Sequence, residues 1–113
     1  MLSKEGRISQ SLFTQIIKEG RSFGFKNFSL RFCLRGDHKK SAFSFVVSSK
    51  EVKKAVWRNL IKRRGRAVVK KNSNRIKAGY LYAFFLKKSL VSKSFIEFET
   101  EIMDGLKEIN LLE

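Results

Sequence analysis

Apolar residues recur at helical spacing in three parts of the chain. In residues 8–19 they follow one another every three or four positions, and a glycine comes directly after the segment. The same period returns in residues 51–72 and 94–109. At the start of the last segment Ser94 and Glu97 stand three positions apart, which is the spacing of a capping box. The pattern therefore predicts three helices.

Other parts of the chain have the two-residue period of β-strands. Residues 27–35 alternate strictly between apolar and polar side chains, and residues 41–48 form a second apolar run. Residues 77–87 carry aromatic side chains at both odd and even positions, as expected for a central strand. Residues 21–25 fit either a further strand or an extended lead-in, and the polar residues 35–41 predict a turn.

This order of elements predicts an α+β fold. We expect a two-layer sandwich with a central, mostly antiparallel sheet and three helices, in the order α-β-β-β-α-β-α. At 113 residues the whole chain, 1–113, is predicted to be a single domain. Part of one sheet face should stay open, because Ser29, Arg31 and Arg35 would not be buried without partners.

The charge of the chain indicates what kind of partner it binds. The chain has 25 Lys and Arg against 10 Asp and Glu, a net charge of +15. Residues 50–75 hold eleven of the basic residues and one acid, Glu51, whereas residues 94–113 are acidic. So basic a domain favours an anionic partner, with nucleic acid first and a membrane surface or an acidic protein second.

Candidate chemistry within the protein is sparse. No apolar run approaches the length of a membrane span, and the first residues lack the apolar stretch of a secretory signal. Cys33 and His38 are the only residues of their types. We interpret Cys33 as a small core residue and His38 as part of the turn. No carboxylate pair, metal-ligand cluster or glycine-rich phosphate loop is evident, so we predict no protein active site.

The basic stretch AVWRNLIKRRGR, residues 55–66, lies in the predicted middle helix. A wheel of about 100° per residue places one broad apolar side opposite a stripe of cations. The apolar side comprises Val52, Val56, Trp57, Leu60, Ile61, Ala67 and Val68. The stripe comprises Arg58, Lys62 and Arg66, with Asn59 at its edge and Arg63 beside it. This stripe predicts a phosphate-binding surface, although a charge run of this kind is often only a solvated helix face.

The same stretch resembles the signature helix of the bacterial ribonuclease P protein subunit. The matching positions are Ala55, Val56, Arg58, Asn59, Lys62, Arg63 and Arg66, preceded by the matching Ser49 and Lys50. Upstream, LFTQIIKEGRSF resembles the first helix of the family, with Phe13 at an aromatic position and Gly20 at a glycine. Leu60 stands in place of a family arginine, Lys53 and Lys54 in place of glycine and asparagine, and Ile17 in place of a second aromatic residue.

The resemblance implies a ribosomal protein S5 domain 2-like fold and a role in tRNA maturation. The protein would bind the catalytic RNA of ribonuclease P and the 5′ leader of precursor tRNA. The RNA, not the protein, would then carry the hydrolysis that removes the leader. The resemblance assigns RNA binding to Lys50, Arg58, Asn59, Lys62, Arg63 and Arg66. It assigns a leader-binding cleft to Phe13, Ile17, Arg31 and Arg35, although Phe13 fits the core equally well.

The resemblance also implies a cofactor, partners and a cellular location. Mg²⁺ would act in the holoenzyme, bound mainly by RNA, and the protein would hold no metal tightly. The partners would be the catalytic RNA and precursor tRNA, with no membrane. The protein alone would be a cytoplasmic monomer. The alternative is a general RNA-binding protein of ribosomal type without a role in tRNA maturation.

Overall fold

The computed structural model describes residues 8–35 and 41–113. Within them the predicted order α-β-β-β-α-β-α is confirmed, and residues 21–25 do contribute a strand. The elements are α1 (Gln10–Glu19), β1 (Arg21–Gly24), β2 (Phe28–Leu34), β3 (Ala42–Val47), α2 (Ala55–Lys71), β4 (Tyr80–Leu86) and α3 (Phe95–Glu108). The predicted turn at 35–41 falls almost wholly outside the described residues, as does His38.

The four strands form one mixed sheet in the order β1-β2-β4-β3. β1 pairs with β2, and β2 with β4, in antiparallel fashion, while β3 and β4 are parallel. Parallel neighbours need a crossover connection, and α2 supplies it between β3 and β4. β4 therefore has a partner on both edges, which confirms the prediction of a central strand.

Most of the core lies on the face of the sheet that α2 and α3 cover. There the rings of Tyr82 and Phe84 stack on Phe43 and Phe45 of β3, with centroids 5.1 and 5.2 Å apart. The intervening residues of β4 point to the opposite face, where α1 packs. Ile16 of α1 is buried there together with Ala42, Leu81 and Ala83. The confirmed α+β fold thus places one helix on one face of the sheet and two on the other.

α2 begins four residues later than predicted. The chain turns through residues 48–54, where the amide of Val52 donates to the Ser48 carbonyl at 3.0 Å, and Lys54 is the N-cap. Val52 is buried, as expected for an apolar residue, but it lies in this turn rather than on the helix. The starts of α1 and α3 are capped by Ser9 and Ser94, and the predicted capping box of α3 is confirmed.

A short 3-10 helix, Lys88–Ser92, follows β4 and was not predicted. Its Leu90 is buried in the core. The buried Asn27 links this short helix to α3. The hydroxyl of Ser89 donates to Asn27 Oδ1 at 2.6 Å, and Asn27 Nδ2 donates to Glu101. Because all three side chains are distant in sequence, this segment is fixed by tertiary contacts rather than by a local pattern.

Gly65 allows α2 to approach the sheet closely. A Cβ at this position would lie 2.5 Å from Cδ1 of Phe45, whose ring is held by stacking on Phe84. We expect Gly65→Ala to lower the free energy of unfolding by about 2 kcal/mol, because overpacking at the upper end of its range, about 3 kcal/mol, outweighs the helix-propensity gain of about 1 kcal/mol. Urea denaturation measures the change. Gly24→Ala is the control, since nothing lies within 4 Å of a Cβ there. A Gly65→Ala protein as stable as the parent would contradict the close contact.

Candidate nucleic-acid interface

The buried side of α2 differs from the wheel prediction. The helix buries Ile61, Gly65, Val68 and Val69 against the rest of the protein. Val56 is 64% exposed and Trp57 is 44% exposed, so their assignment to the packed side was wrong. Ala67 is exposed as well. The reason is Gly65, which lies at the centre of the buried side of the helix but has no apolar side chain that hydropathy could detect. Because the helix packs through Gly65, the apolar residues of its first turn face away from the core.

The rotation changes which cations face solvent. Asn59 and Arg63 are exposed on the side opposite Gly65, and Lys62 and Arg66 are half-buried on the flank beside them. We call these four residues the cationic face of α2. No described acidic side chain forms an ion pair with any of them. Among the described residues of α2, Lys71 does form an ion pair: its Nζ lies 3.2 Å from Glu99 Oε1. The cationic face can therefore offer donors to an anionic ligand.

Arg58 has backbone partners that the sequence pattern did not indicate. Its Nη1 donates to the carbonyls of Val52 at 2.8 Å and Lys53 at 2.7 Å. The guanidinium thus closes the turn that leads into the helix, and its Nη1 is held by two backbone carbonyls. Asn59, predicted at the margin of the stripe, lies instead near the centre of the exposed side.

Two residues of α2 lie on the opposite flank, toward α3. Arg64 reaches past the core, and its Nη1 donates to the Lys93 carbonyl at 2.7 Å, just before α3 begins. Leu60, predicted on the packed side of the helix, is half-buried at the margin of that side. α2 is therefore held from both flanks, by Arg58 on one side and Arg64 on the other.

The N-terminal end of α2 is an additional positive region. Lys50, Lys53 and Lys54 are exposed there, and the first turn contains no acidic residue. Lys54, as the N-cap, makes no side-chain hydrogen bond to the free amides of the helix. The positive end of the helix dipole and these three ammonium groups add up, so this end of α2 attracts anions. Of these three lysines, only Lys50 had been predicted as an RNA-binding residue.

Three of the four predicted cleft residues come together beside α1. The ring of Phe13 lies 6.3 Å from that of Phe85 on β4, tilted by 53°. Arg31 Nη1 donates to the carbonyl of Ile17 at 3.1 Å, and Ile17 itself is 42% exposed. Phe13 is half-buried, so one side of its ring completes the small core under α1 while another part stays accessible. The half-buried Ser29 and Arg31 fit the expected open part of this sheet face.

Arg35 is set apart from the other three. It follows the end of β2, and its backbone amide donates to the Gly79 carbonyl at 2.8 Å. It lies four residue steps beyond Arg31, a distance of roughly 13 Å along the strand. A ligand that contacts both arginines must therefore run along β2 rather than sit at one point.

The described residues offer no fit to a metal ion. No three His, Cys, Asp or Glu side chains of the described ranges come together. Cys33 is half-buried near α1, and burial, assisted by the charge of Glu19, raises the pKa of its thiol. A thiol so disposed is a poor ligand and a poor nucleophile. None of the helices in the described part of the chain is long and apolar enough to cross a membrane.

Glu99 links α3 to the end of α2 and should make stability depend on pH. The buried amide of Asn72 donates to it at 3.0 Å, and this bond together with Lys71 lowers the pKa of Glu99. A carboxylate with a lowered folded-state pKa stabilises the fold above its unfolded pKa of about 4.3, and that stability is lost as the pH falls through the folded value. We expect Glu99→Gln to lose less unfolding free energy than the parent between about pH 6 and about pH 3.

Urea denaturation at the two pH values tests this. Glu108→Gln removes a carboxylate from an exposed position of the same helix and serves as the control. Parallel stability profiles for the parent and Glu99→Gln would show that the Asn72–Glu99 contact does not hold the carboxylate charged.

Comparison with known proteins agrees with this architecture. The sequence profile of the family described as Ribonuclease P matches residues 2–110. A solved structure of the Staphylococcus aureus RNase P protein superposes with a TM-score of 0.84 at 22% identity, covering 96% of this chain and 98% of that one. The RNase P protein from Thermotoga maritima superposes with a TM-score of 0.80 at 27% identity, covering 90% and 96%. No sequence among the curated proteins matches the chain significantly.

The family match spans nearly the whole chain, and it includes α2 with its cationic face and the α1 side of the sheet. The solved structures share the mixed sheet and the three helices. The chain therefore belongs to the ribonuclease P family, as a protein subunit of that ribonuclease.

Proposed function

We propose that the chain binds the catalytic RNA of ribonuclease P through the cationic face of α2. The observation that carries this is the exposure of Arg63, flanked by Lys62 and Arg66, with no described acidic side chain paired to them. The helix that presents them is fixed by Gly65 against Phe45 and by the two arginine tethers. A rigid cationic face needs little reorganisation to bind phosphates, and arginine can give paired hydrogen bonds to them.

A second part of the proposal concerns the 5′ leader of precursor tRNA. The cleft beside α1 offers the accessible part of Phe13 and the exposed Ile17 as apolar contacts, with the Arg31 guanidinium next to them. A single strand needs such a combination of flat apolar groups and cations. A leader lying along β2 would leave this cleft toward Arg35, which would contact a phosphate several nucleotides farther on.

In this proposal the RNA performs the hydrolysis. Any Mg²⁺ of the holoenzyme would be held mainly by RNA, and the lack of a cluster of three metal-ligating side chains among the described residues supports this. The task of the chain is electrostatic: its +15 net charge offsets the repulsion between two polyanions, the catalytic RNA and its substrate. That would lower the concentration of Mg²⁺ needed for cleavage. We place this assembly in the cytoplasm, with the free protein as a monomer.

The direct test is cleavage of a precursor tRNA by the catalytic RNA at low Mg²⁺, with and without the protein. We expect 5′ cleavage to be stimulated and the leader to be released. Protein without RNA is the control for a protein-based nuclease. A protein that binds precursor and mature tRNA equally and leaves cleavage unchanged would instead be a general RNA-binding protein.

A further inference from the structure

A cleft at the N-terminal end of α2 includes the three lysines of that end and is separate from the cationic face of α2 and from the cleft beside α1. It has a volume of about 830 Å³ and lies between the turn before α2, the first helical turn and the 3-10 helix Lys88–Ser92. Its lining includes Lys50, Lys53, Lys54, Trp57, Lys88 and Val91. Glu51 is the acidic residue among the lining residues, so the cleft has a positive charge.

Both walls of this cleft are fixed in place. On one side Arg58 holds the carbonyls of Val52 and Lys53, and Val52 is buried beneath the turn. On the other side the buried Leu90 and the hydrogen bond from Ser89 to Asn27 hold the 3-10 helix. The cleft is thus preformed, and a ligand would bind without first ordering its walls.

Trp57 is exposed in a way that packing does not explain. The residue lines the cleft and is 44% exposed, although a side chain of this size normally covers core. A flat aromatic group surrounded by ammonium groups is the arrangement with which proteins hold single-stranded nucleic acid. The ring stacks on a base, and the cations lie near the flanking phosphates.

We propose that this cleft takes one unpaired nucleotide of RNA, with its base stacked on Trp57 and its flanking phosphates near Lys53, Lys54 and Lys88. The proposal rests on the proposed function for the identity of the polymer. It adds a contact that α2 makes at its N-terminal end, beyond the cationic face. An acidic protein segment would satisfy the lysines but would leave the exposed indole without a planar partner, so nucleic acid fits better.

Trp57 reports on its own site, because it is the only tryptophan of the chain. We expect its emission to be quenched, and protected from acrylamide, when the unmodified protein is titrated with a short oligoadenylate. Separate titrations with the catalytic RNA alone and with precursor tRNA alone then show which RNA supplies the nucleotide. Unchanged emission with all three would overturn the proposal. Quenching by polyglutamate equal to that by oligoadenylate of the same charge would overturn it too, in favour of an acidic protein partner.

Substitutions test the energetic contribution of the stacking. Trp57→Ala should weaken binding to the RNA that quenches Trp57 about tenfold, since it removes the surface on which the base stacks, whereas Trp57→Phe should keep most of the affinity. Val56→Ala is the matched control, because Val56 is 64% exposed and lies outside the cleft lining. A thermal melt of each variant confirms folding. Equal affinities for Trp57→Ala and Val56→Ala would overturn the proposal.

Lys88 provides an independent check from the other wall. Lys88→Ala should reduce the slope of log affinity against log salt by about 0.7, the value for one single-strand phosphate. Lys107→Ala, on the exposed side of α3, should leave the slope unchanged. If cleavage is stimulated but Trp57 and Lys88 have no effect, the cleft proposal fails and the proposed function stands. If cleavage is not stimulated but oligoadenylate still quenches Trp57, the proposed function fails and the cleft proposal stands.

Discussion

Replacing Lys62, Arg63 and Arg66 together by glutamine is expected to weaken binding to the catalytic RNA about 100-fold. Each side chain would lose an exposed contact to phosphate worth about 1 kcal/mol, and three such losses approach 3 kcal/mol. The slope of log affinity against log salt should also fall by about 2 to 3, because up to three fewer counterions are released on binding. Filter binding or fluorescence anisotropy over a range of salt concentrations measures both quantities.

A control must separate local contacts from total charge. Lys18, Lys26 and Lys107 are exposed on other parts of the protein, so replacing these three by glutamine removes the same charge. We expect this variant to lose much less affinity for the catalytic RNA than the α2 variant. If both triple variants weaken binding equally, RNA is held by the general positive field and the cationic face of α2 is not a specific surface.

Most elements of this fold were predictable because their hydrophobic periods are strong. β2 alternates over its whole length, and β4 carries aromatic side chains on both faces because helices cover both faces of the sheet there. The capping box at Ser94 and Glu97 marked the start of α3 to the residue. In each case the signal is local, so the sequence alone contains it.

The orientation of α2 was not predictable from hydropathy. The residue at the centre of the contact, Gly65, has no side chain, and it is buried because the Phe45 ring occupies the space where a Cβ would be. The apolar Val56 and Trp57 point outward for the same geometric reason. An apolar residue on a helix wheel therefore marks a packed side only where the neighbouring element reaches it.

Tertiary tethers were the other part that the sequence did not reveal. Arg64 and Asn27 form hydrogen bonds with groups that are distant in sequence, and Arg58 donates to two carbonyls of a turn that the pattern had predicted as helix. A basic residue in a basic helix looks like a ligand for phosphate, yet two of these arginines hold backbone carbonyls. Leu60, the departure from the family pattern, is half-buried beside Arg64, where an apolar residue can cover the stem of that tether.

Arg58→Ala should test the strongest of these reassignments, because a structural residue and a phosphate ligand behave differently when removed. Losing two charge-assisted hydrogen bonds, partly open to solvent, should lower the free energy of unfolding by about 2 to 3 kcal/mol. Arg58→Lys should recover only part of this unfolding free energy, since one ammonium group cannot reproduce the planar, forked geometry of the guanidinium donors. Arg63→Ala, on the exposed side, should change stability by less than about 0.5 kcal/mol. Urea denaturation of the free protein, without RNA, measures the stability of all three variants.

The same substitution should also loosen the wall of the cleft beside Trp57. Since Arg58 holds the carbonyls of Val52 and Lys53, its loss frees the turn that carries Lys53 and Lys54. Acrylamide should then quench Trp57 more strongly in the free Arg58→Ala protein than in the parent, with Arg63→Ala unchanged. If Arg58→Ala weakens RNA binding but leaves both stability and Trp57 accessibility as in the parent, Arg58 contacts phosphate directly, and the predicted ridge of Arg58, Lys62 and Arg66 is restored.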